Sequence, residues 1–543
     1  MSTKHDPFGL GFEIPEDERT PVVEALLRKF VELRDENQRL REEIDRLKNI
    51  PPRPTRQPSM LSGEQPPSSR KERQRLQKRL KGKKRPGSSK RHKTRELRID
   101  ETILLTPSNL PPGAVRVTHR DFVVQDLIIR GHNTCYRREV FQLPDGSYVV
   151  GELPAEIRGH FGPQLQSYVL YQHYHNHVTQ PLLLEELREL GVDVSAGQID
   201  RLLHEHHASF LGEKDSLLPA AREVSRHFHT DDTSARHRGK NGHTTVISNE
   251  FFASFVTSDN KTRINFLEIL RAPHQDYVVG GDALFYMQFH GLPAKLLEKL
   301  RHSVGEEGLI VDSKAAWEYQ LNAWRIPSAE HRQLITEGAL FGCLMYHDLY
   351  IDQPIISDDA GQFKILGYMH ALCWLHAERN IARLVPLNAR EHRILEETRR
   401  AIWKYYQRLK AYRLQPTLQR RSRLERDFDR LFLRRTGFLE LNEALARMHG
   451  KRNELLLVLD HPQLPLDNNL AERDLREWAK TRKISFGTRS DRGRICRDVF
   501  LSLKNTCRKL GISFLRYLRD RLFQRHEIPP LADSIRRIAL DTG

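Results

Sequence analysis

Hydrophobic side chains recur in steps of three and four along residues 23–47: Val23, Leu26, Phe30, Leu33, Leu40, Ile44 and Leu47, with Asn37 in the same seam. Thr20 and Pro21 stand at the N-cap and first-turn positions of the helix this predicts. A heptad seam with one buried amide favours parallel, in-register pairing, so a coiled-coil dimer or higher assembly is expected. Prolines 51, 52, 54 and 58 end the helix. From about 101 to 150 the pattern is short and strand-like (VRVTH, DFVVQDLIIR, YRREVFQL, SYVVGEL), and helices follow to about 220. EVSRHFHTDD, TTVISNEFFASFVTS and TRINFLEIL then read as three successive strands of an antiparallel meander, with turns at Lys240–Gly242 and Ser258–Lys261. EGLIVD (307–312) and QPIISDD (353–359) read as further strands with acidic ends, and about 375 to 462 is helix-rich. In DNNLAERDLR, Asn468, Glu472 and Arg476 fall four apart on one helical stripe.

Charge sharpens this picture because it is unevenly placed. The chain has 543 residues and a formal net charge of +17, and between Arg70 and Arg98 fifteen lysines and arginines face two acids. Such a tract, Lys83, Lys84 and Arg85 included, binds polyphosphate through counterion release, so residues 51–100 read as a disordered basic linker and double-stranded DNA as the partner. Hydrophobic residues make up 38% of the chain, enough for more than one core. The five cysteines (135, 343, 373, 496, 507) form no CxxC pair, which argues against a disulfide framework and a cysteine-rich zinc module. His173, His175 and His177 do not share a helical face, so no structural zinc is expected. Neither a signal core nor an 18-residue apolar run is present, and a cytoplasmic, nucleoid-associated protein with no membrane partner is expected.

The acidic positions carry the candidate chemistry. Phosphodiester cleavage and transfer need an activated oxygen nucleophile and a neutralised leaving oxygen, which two magnesium ions roughly 4 Å apart supply in many nucleases and polymerases. Magnesium prefers carboxylates, and Mn2+ is expected to substitute. Asp231, Asp358 and Glu472 are the candidates. Asp232 is a rival to Asp231, and the strand period of two sends these neighbours to opposite faces; His227, His229 and Asp231 share one. Asp359 and Asp312 are rivals to Asp358. Arg473, Arg476, Lys480, Arg482, Lys483, Arg489, Arg492 and Arg494 offer a phosphate-binding surface beside Glu472. His376 and Asn468 are candidate supports of the site.

HTDDT (229–233), ISDDAGQF (356–363) with CWLHAERN (373–380), and DNNLAERDLR with TRKISFGTRSDRG (481–493) resemble, in order, the motifs of insertion sequence 66 family transposases, and residues 153–203 are similar to the helical region ahead of that family's catalytic core. The resemblance implies a DDE transposase with an RNase H-like core interrupted by a helical insertion, and it assigns Asp231, Asp358 and Glu472 as catalytic metal ligands. Two departures stand out: the family's aspartate, glutamate, threonine is Asp231, Asp232, Thr233 here, and its glycine after the second aspartate is Asp359. The cysteine-rich zinc element often found ahead of the core has no counterpart.

The expected architecture is therefore multidomain, α+β with α/β: a coiled-coil dimerisation helix (1–50), a basic linker (51–100), a small mixed DNA-binding and helical module (101–220), an RNase H-like core in two parts (221–380 and 465–525) around a helical insertion (381–464), and a C-terminal tail (526–543). The expected function is strand cleavage at the ends of an insertion sequence and transfer of the freed 3′ hydroxyl to target DNA, with accessory element-encoded proteins as further partners. A DNA-binding relative without catalysis and a structure-specific nuclease are the alternatives.

Overall fold

The computed structural model describes residues 98–542, apart from 106, 110, 158, 206, 327, 350 and 351. The heptad seam and the basic tract up to Leu97, with Lys83, Lys84 and Arg85, lie outside the described residues. Two compact units divide the chain, residues 1–126 and 127–543. The described part of the first contains neither helix nor strand, in contrast to the strands expected there.

The second unit opens with a small hairpin, β1 (Val140–Gln142) and β2 (Tyr148–Val150), followed by helices α1 (Pro163–Tyr174), α2 (Gln180–Glu189), α3 (Ala196–His204), α4 (Ala208–Asp215) and α5 (Leu217–Val224). Strands β3 (Phe228–His237), β4 (Lys240–Ser248) and β5 (Ala253–Ser258) then form an antiparallel meander. Arg238 and Gly239 take φ of 49° and 77°, a two-residue turn with both residues left-handed that suits the twist of a hairpin. The reversal thus falls just before the Lys240–Gly242 turn expected from sequence. Asn249 makes the next break, its side-chain oxygen accepting from the N–H groups of Phe251 and Phe252 at 2.8 and 3.2 Å. It splits the long apolar run into β4 and β5.

TRINFLEIL, expected as the third strand, is helix α6 (Arg263–Leu270). Thr262 caps it by accepting from the Asn265 N–H, and Phe266, Leu267, Ile269 and Leu270 are all buried. A helix apolar around most of its circumference mimics a buried strand in sequence. Beyond it come β6 (Tyr277–Val279), α7 (Gly281–Phe289), α8 (Ala294–Val304), β7 (Leu309–Val311), α9 (Lys314–Ala323) and α10 (Ala329–Tyr346). Strand β7 pairs with β6 in a separate two-stranded sheet.

The chain returns to the main sheet through β8 (Ile355–Ser357) and β9 (His370–Leu372), giving the order β5-β4-β3-β8-β9 with β3, β8 and β9 parallel. Helices α11 (Trp374–Ala382), α12 (Ala389–Leu414), α13 (Leu418–Phe432), α14 (Leu439–Gly450) and α15 (Arg452–Leu456) gather around their own apolar cluster, which includes Trp374, Tyr405, Phe428 and Leu445. Helices α16 (Asn469–Ser485), α17 (Asp491–Lys509), α18 (Phe514–Leu522) and α19 (Leu531–Thr542) complete the chain. The segment read as a tail contains α19, which buries Leu531 and Ile535 and pairs Arg536 with Glu223 of α5 at 2.7 Å. The whole is a mixed α/β protein with a mixed central sheet.

Side-chain parity sorts the faces of that sheet. Phe228, Ile247 and Ile355 enter the large core, whereas Ala235 and Val246 pack under Ala471, Leu475 and Trp478 of α16. The free edge of β5 is closed by α17: Thr506 Oγ1, Ser502 Oγ and Asp498 Oδ2 accept from the N–H groups of Ala253, Phe255 and Thr257 at 3.2, 2.9 and 2.8 Å. Four helical residues rise about 6 Å and two strand residues about 6.6 Å, so acceptors four apart meet donors two apart. An edge that would otherwise invite pairing with another chain is satisfied.

Candidate active site

Asp231 stands within β3, with the same parity as Ala235, and so faces α16. Asp232 turns the other way: its Oδ2 accepts from Gln362 at 2.6 Å and its Oδ1 lies 3.9 Å from Lys261. The parallel register pairs His229 with Ile356; carried two residues further it sets Asp231 alongside Asp358, which follows the last residue of β8. Glu472 lies in the first turn of α16. The structure thus brings Asp231, Asp358 and Glu472 together under the start of that helix.

Asn468 fixes the third member against the first. Its side chain is fully buried; Nδ2 donates to the Thr230 carbonyl at 2.9 Å, and Oδ1 accepts from His229 Nδ1 at 2.9 Å. The Asn468 backbone N–H donates to the Cys373 thiol at the start of α11, 3.3 Å away. One residue therefore ties β3, α11 and α16 at the point where their acidic or polar side chains converge. Burial, with His227 adding to it, takes His229 down to about 3, so the ring is neutral and its Nδ1–H is available as donor.

The electrostatics match this crowding. Burial, then the charges of Asp358, Asp232 and Glu472, raise the Asp231 carboxyl to about 7 against one bond from the Asp232 N–H. Asp358 Oδ1 accepts only from the Ala360 N–H at 3.1 Å, and no lysine or arginine pairs with it among the described residues. Glu472 Oε1 is buried without a hydrogen-bond partner. Its nearest cationic or imidazole groups, His376 Nε2 at 3.7 Å and Arg476 at 3.8 Å, stand beyond hydrogen-bond length. Burial and Arg379 lower the His376 pKa against the pull of Glu472 and Asp358. An unpartnered buried carboxylate oxygen beside two further carboxyls is a hard, all-oxygen donor set, which fits Mg2+ or Mn2+.

The rivals are otherwise engaged. Asp359 is paired with Lys364 at 2.9 Å and with Lys451. Asp312 is exposed and ends β7, a strand outside the central sheet. The two lysines that neutralise Asp359 were not foreseen, and neither sits in a motif that would flag it. Lys364 also meets Glu454 at 2.9 Å, and Glu454 lies 3.4 Å from His370, whose other nitrogen is 2.7 Å from Ser357 Oγ.

Of the basic side chains expected to meet phosphate, Arg473, Arg476, Lys480, Lys483 and Arg489 are exposed. The four on α16 follow steps of three and four, one stripe leading away from Glu472. Lys480 also contacts Glu477 at 3.0 Å. Three others hold the fold together: Arg482 donates to Ser234, Arg492 pairs with Glu205 at 2.8 Å, and Arg494 donates to the Thr257 carbonyl. His173, His175 and His177 diverge, the first donating to the Val178 carbonyl, the second stacking on Tyr171, the third meeting Thr481.

The family model described as Transposase IS66 family matches residues 328–494. A relative 38% identical over 318 residues, spanning 58% of this chain and 98% of its own length, is the Uncharacterized protein y4jO of Sinorhizobium fredii (strain NBRC 101917 / NGR234). The chain belongs to the IS66 transposase family. The span matched by the IS66 model contains Asp358, Cys373, His376, Asn468 and Glu472, whereas Asp231 lies ahead of it on β3. No helix among the described residues of this IS66-family chain is long and apolar enough to cross a membrane.

Proposed function

We propose that this protein is a metal-dependent DNA transposase on an RNase H-like core, which cleaves strands at the ends of its element and joins the freed 3′ hydroxyl to target DNA. The observation that carries this reading is the meeting of Asp231, Asp358 and Glu472 from two parallel strands and a helix, with Asp231 raised to about 7 by burial and by its acidic neighbours. Such a cluster of carboxyls is electrostatically unfavourable until cations share it. Magnesium, when bound, supplies positive charge to the leaving oxygen and a more acidic water. Asp231 would release its proton to water as a cation took its place, Asp358 would offer an oxygen that no cationic side chain among the described residues occupies, and Glu472 would offer Oε1. Asn468 holds the helix bearing Glu472 against β3. The exposed stripe Arg473, Arg476, Lys480 and Lys483 takes the DNA backbone, and residues 20–47 and 70–98 supply pairing of protomers and further duplex affinity.

The test uses the full chain, linear DNA bearing the element's ends, a plasmid target and Mg2+. Joined products that disappear in Glu472→Gln support the proposal. Tight binding without strand breakage in either protein points to a DNA-binding relative, and cutting without joining points to a nuclease.

A further inference from the structure

A second cluster of metal-ligating side chains stands outside the carboxylate site. One imidazole nitrogen each of His274 and His347 and one oxygen of Asp276 lie within 4.8 Å of one another. His274 and Asp276 lead into β6, and His347 caps the C-terminal end of α10. His347 Nε2 meets Asp276 Oδ2 at 2.8 Å, and the fully buried Cys343 donates its thiol proton to the other oxygen, Asp276 Oδ1, at 3.6 Å.

A histidine–aspartate pair alone explains two of these groups and leaves the third. The His274 ring stacks on His347 with centroids 3.7 Å apart and makes no hydrogen bond among the described residues. His274 therefore offers a ring nitrogen that no hydrogen bond among the described residues occupies, beside a second imidazole and a carboxylate, the kind of donors that transition-metal ligation requires. Tetrahedral bonds of about 2.0–2.1 Å place donor atoms about 3.3 Å apart, so the present spacing closes with small side-chain movements. Two imidazoles and one carboxylate suit borderline ions and discriminate against magnesium, which prefers oxygen.

We propose that His274, Asp276 and His347 bind a zinc-class divalent ion with a coordination position left for water, and that this ion staples the start of β6 to the end of α10. Cys343, bonded to the free carboxylate oxygen, orients Asp276 in the manner of an outer-shell partner. Strand β8 begins eight residues after His347, so the staple anchors the end of α10 from which the chain runs on to Asp358. The expectation of no structural zinc rested on the cysteine pattern and on His173, His175 and His177; this cluster is invisible to both because His347 lies 71 residues beyond Asp276.

The test measures metal content and visible absorption. Full-length protein stripped with chelator is loaded with Zn2+, or with Co2+ as a spectroscopic probe, in excess Mg2+. The wild type and Glu472→Gln are expected to retain one Zn2+ per chain more than His274→Ala or Asp276→Asn, and their Co2+ form to show the intense bands of low coordination number. The half-exposed His274 ring has no hydrogen bond to lose, so circular dichroism should show His274→Ala folded. Equal zinc content in wild type and His274→Ala, or only the weak spectrum of hydrated Co2+, overturns the proposal.

Discussion

Asn468 Nδ2 donates to the carbonyl of Thr230, the residue immediately before Asp231, across 2.9 Å. This bond sets the distance between the helix that carries Glu472 and the strand that carries Asp231. Asn468→Ala leaves the Thr230 carbonyl and the His229 Nδ1–H buried without partners, at about 1–3 kcal/mol each. The expected outcome is a folded protein with a lower urea midpoint and a larger loss of strand cleavage than its unfolding explains. Activity that tracks the folded fraction alone would deny Asn468 a positioning role.

Gly487 governs a second junction. A Cβ placed there would sit 2.4 Å from the Arg236 carbonyl oxygen, because the loop after α16 docks on the end of β3. Thr488 donates to Arg236 at 3.0 Å and accepts from Arg238 at 2.8 Å. Gly487→Ala is expected to cost about 1–3 kcal/mol, the usual range for overpacking, read as a lowered melting temperature. An unchanged melting temperature would mean that this loop yields freely.

Much of this arrangement was legible before the fold was known, for reasons particular residues make plain. Strand alternation put His229 and Asp231 on one face, and that is the face on which Asn468 and Glu472 arrive. The stripe Asn468, Glu472, Arg476 needed only helical periodicity. Residues 262–270 misled because α6 is buried on most sides, and its cap, Thr262, looks in sequence like any β-branched residue. Spacing alone did not separate Asp359 from Asp358, and only the family resemblance favoured the latter, since Lys364 and Lys451, which occupy Asp359, come from just after the 3-10 turn Gly361–Phe363 and from the α14–α15 junction. The first unit's apolar segments had the right alternation for strands, yet alternation does not supply a pairing partner.

Glu477 forecasts the acid response. Burial alone would raise its carboxyl, but Lys480, Lys504 and Arg508 bring it from 4.5 down to about 2. The unfolded chain therefore takes up a proton that the folded chain refuses. The stability from this group is complete above about pH 4.5 and is lost as pH falls towards 2. Glu477→Gln should remove that acid limb and cost about 2–4 kcal/mol at pH 7, because it leaves the Lys504 ammonium, 1% exposed, without its anion. Urea unfolding between pH 7 and pH 3 checks this; parallel curves for the two proteins would contradict it.

The central claim is that Asp231, Asp358 and Glu472 form one cation site. Its most direct measurement is calorimetric titration of Mn2+ into five variants made in a His274→Ala background: Asp231→Asn, Asp358→Asn, Glu472→Gln, Asp232→Asn and Asp359→Asn. The first three should each weaken binding by about tenfold or more, the last two should leave it unchanged, and below pH 7 binding should release the proton held by Asp231. Full affinity in Asp358→Asn with loss in Asp359→Asn, or equal affinity in all five, would contradict the account.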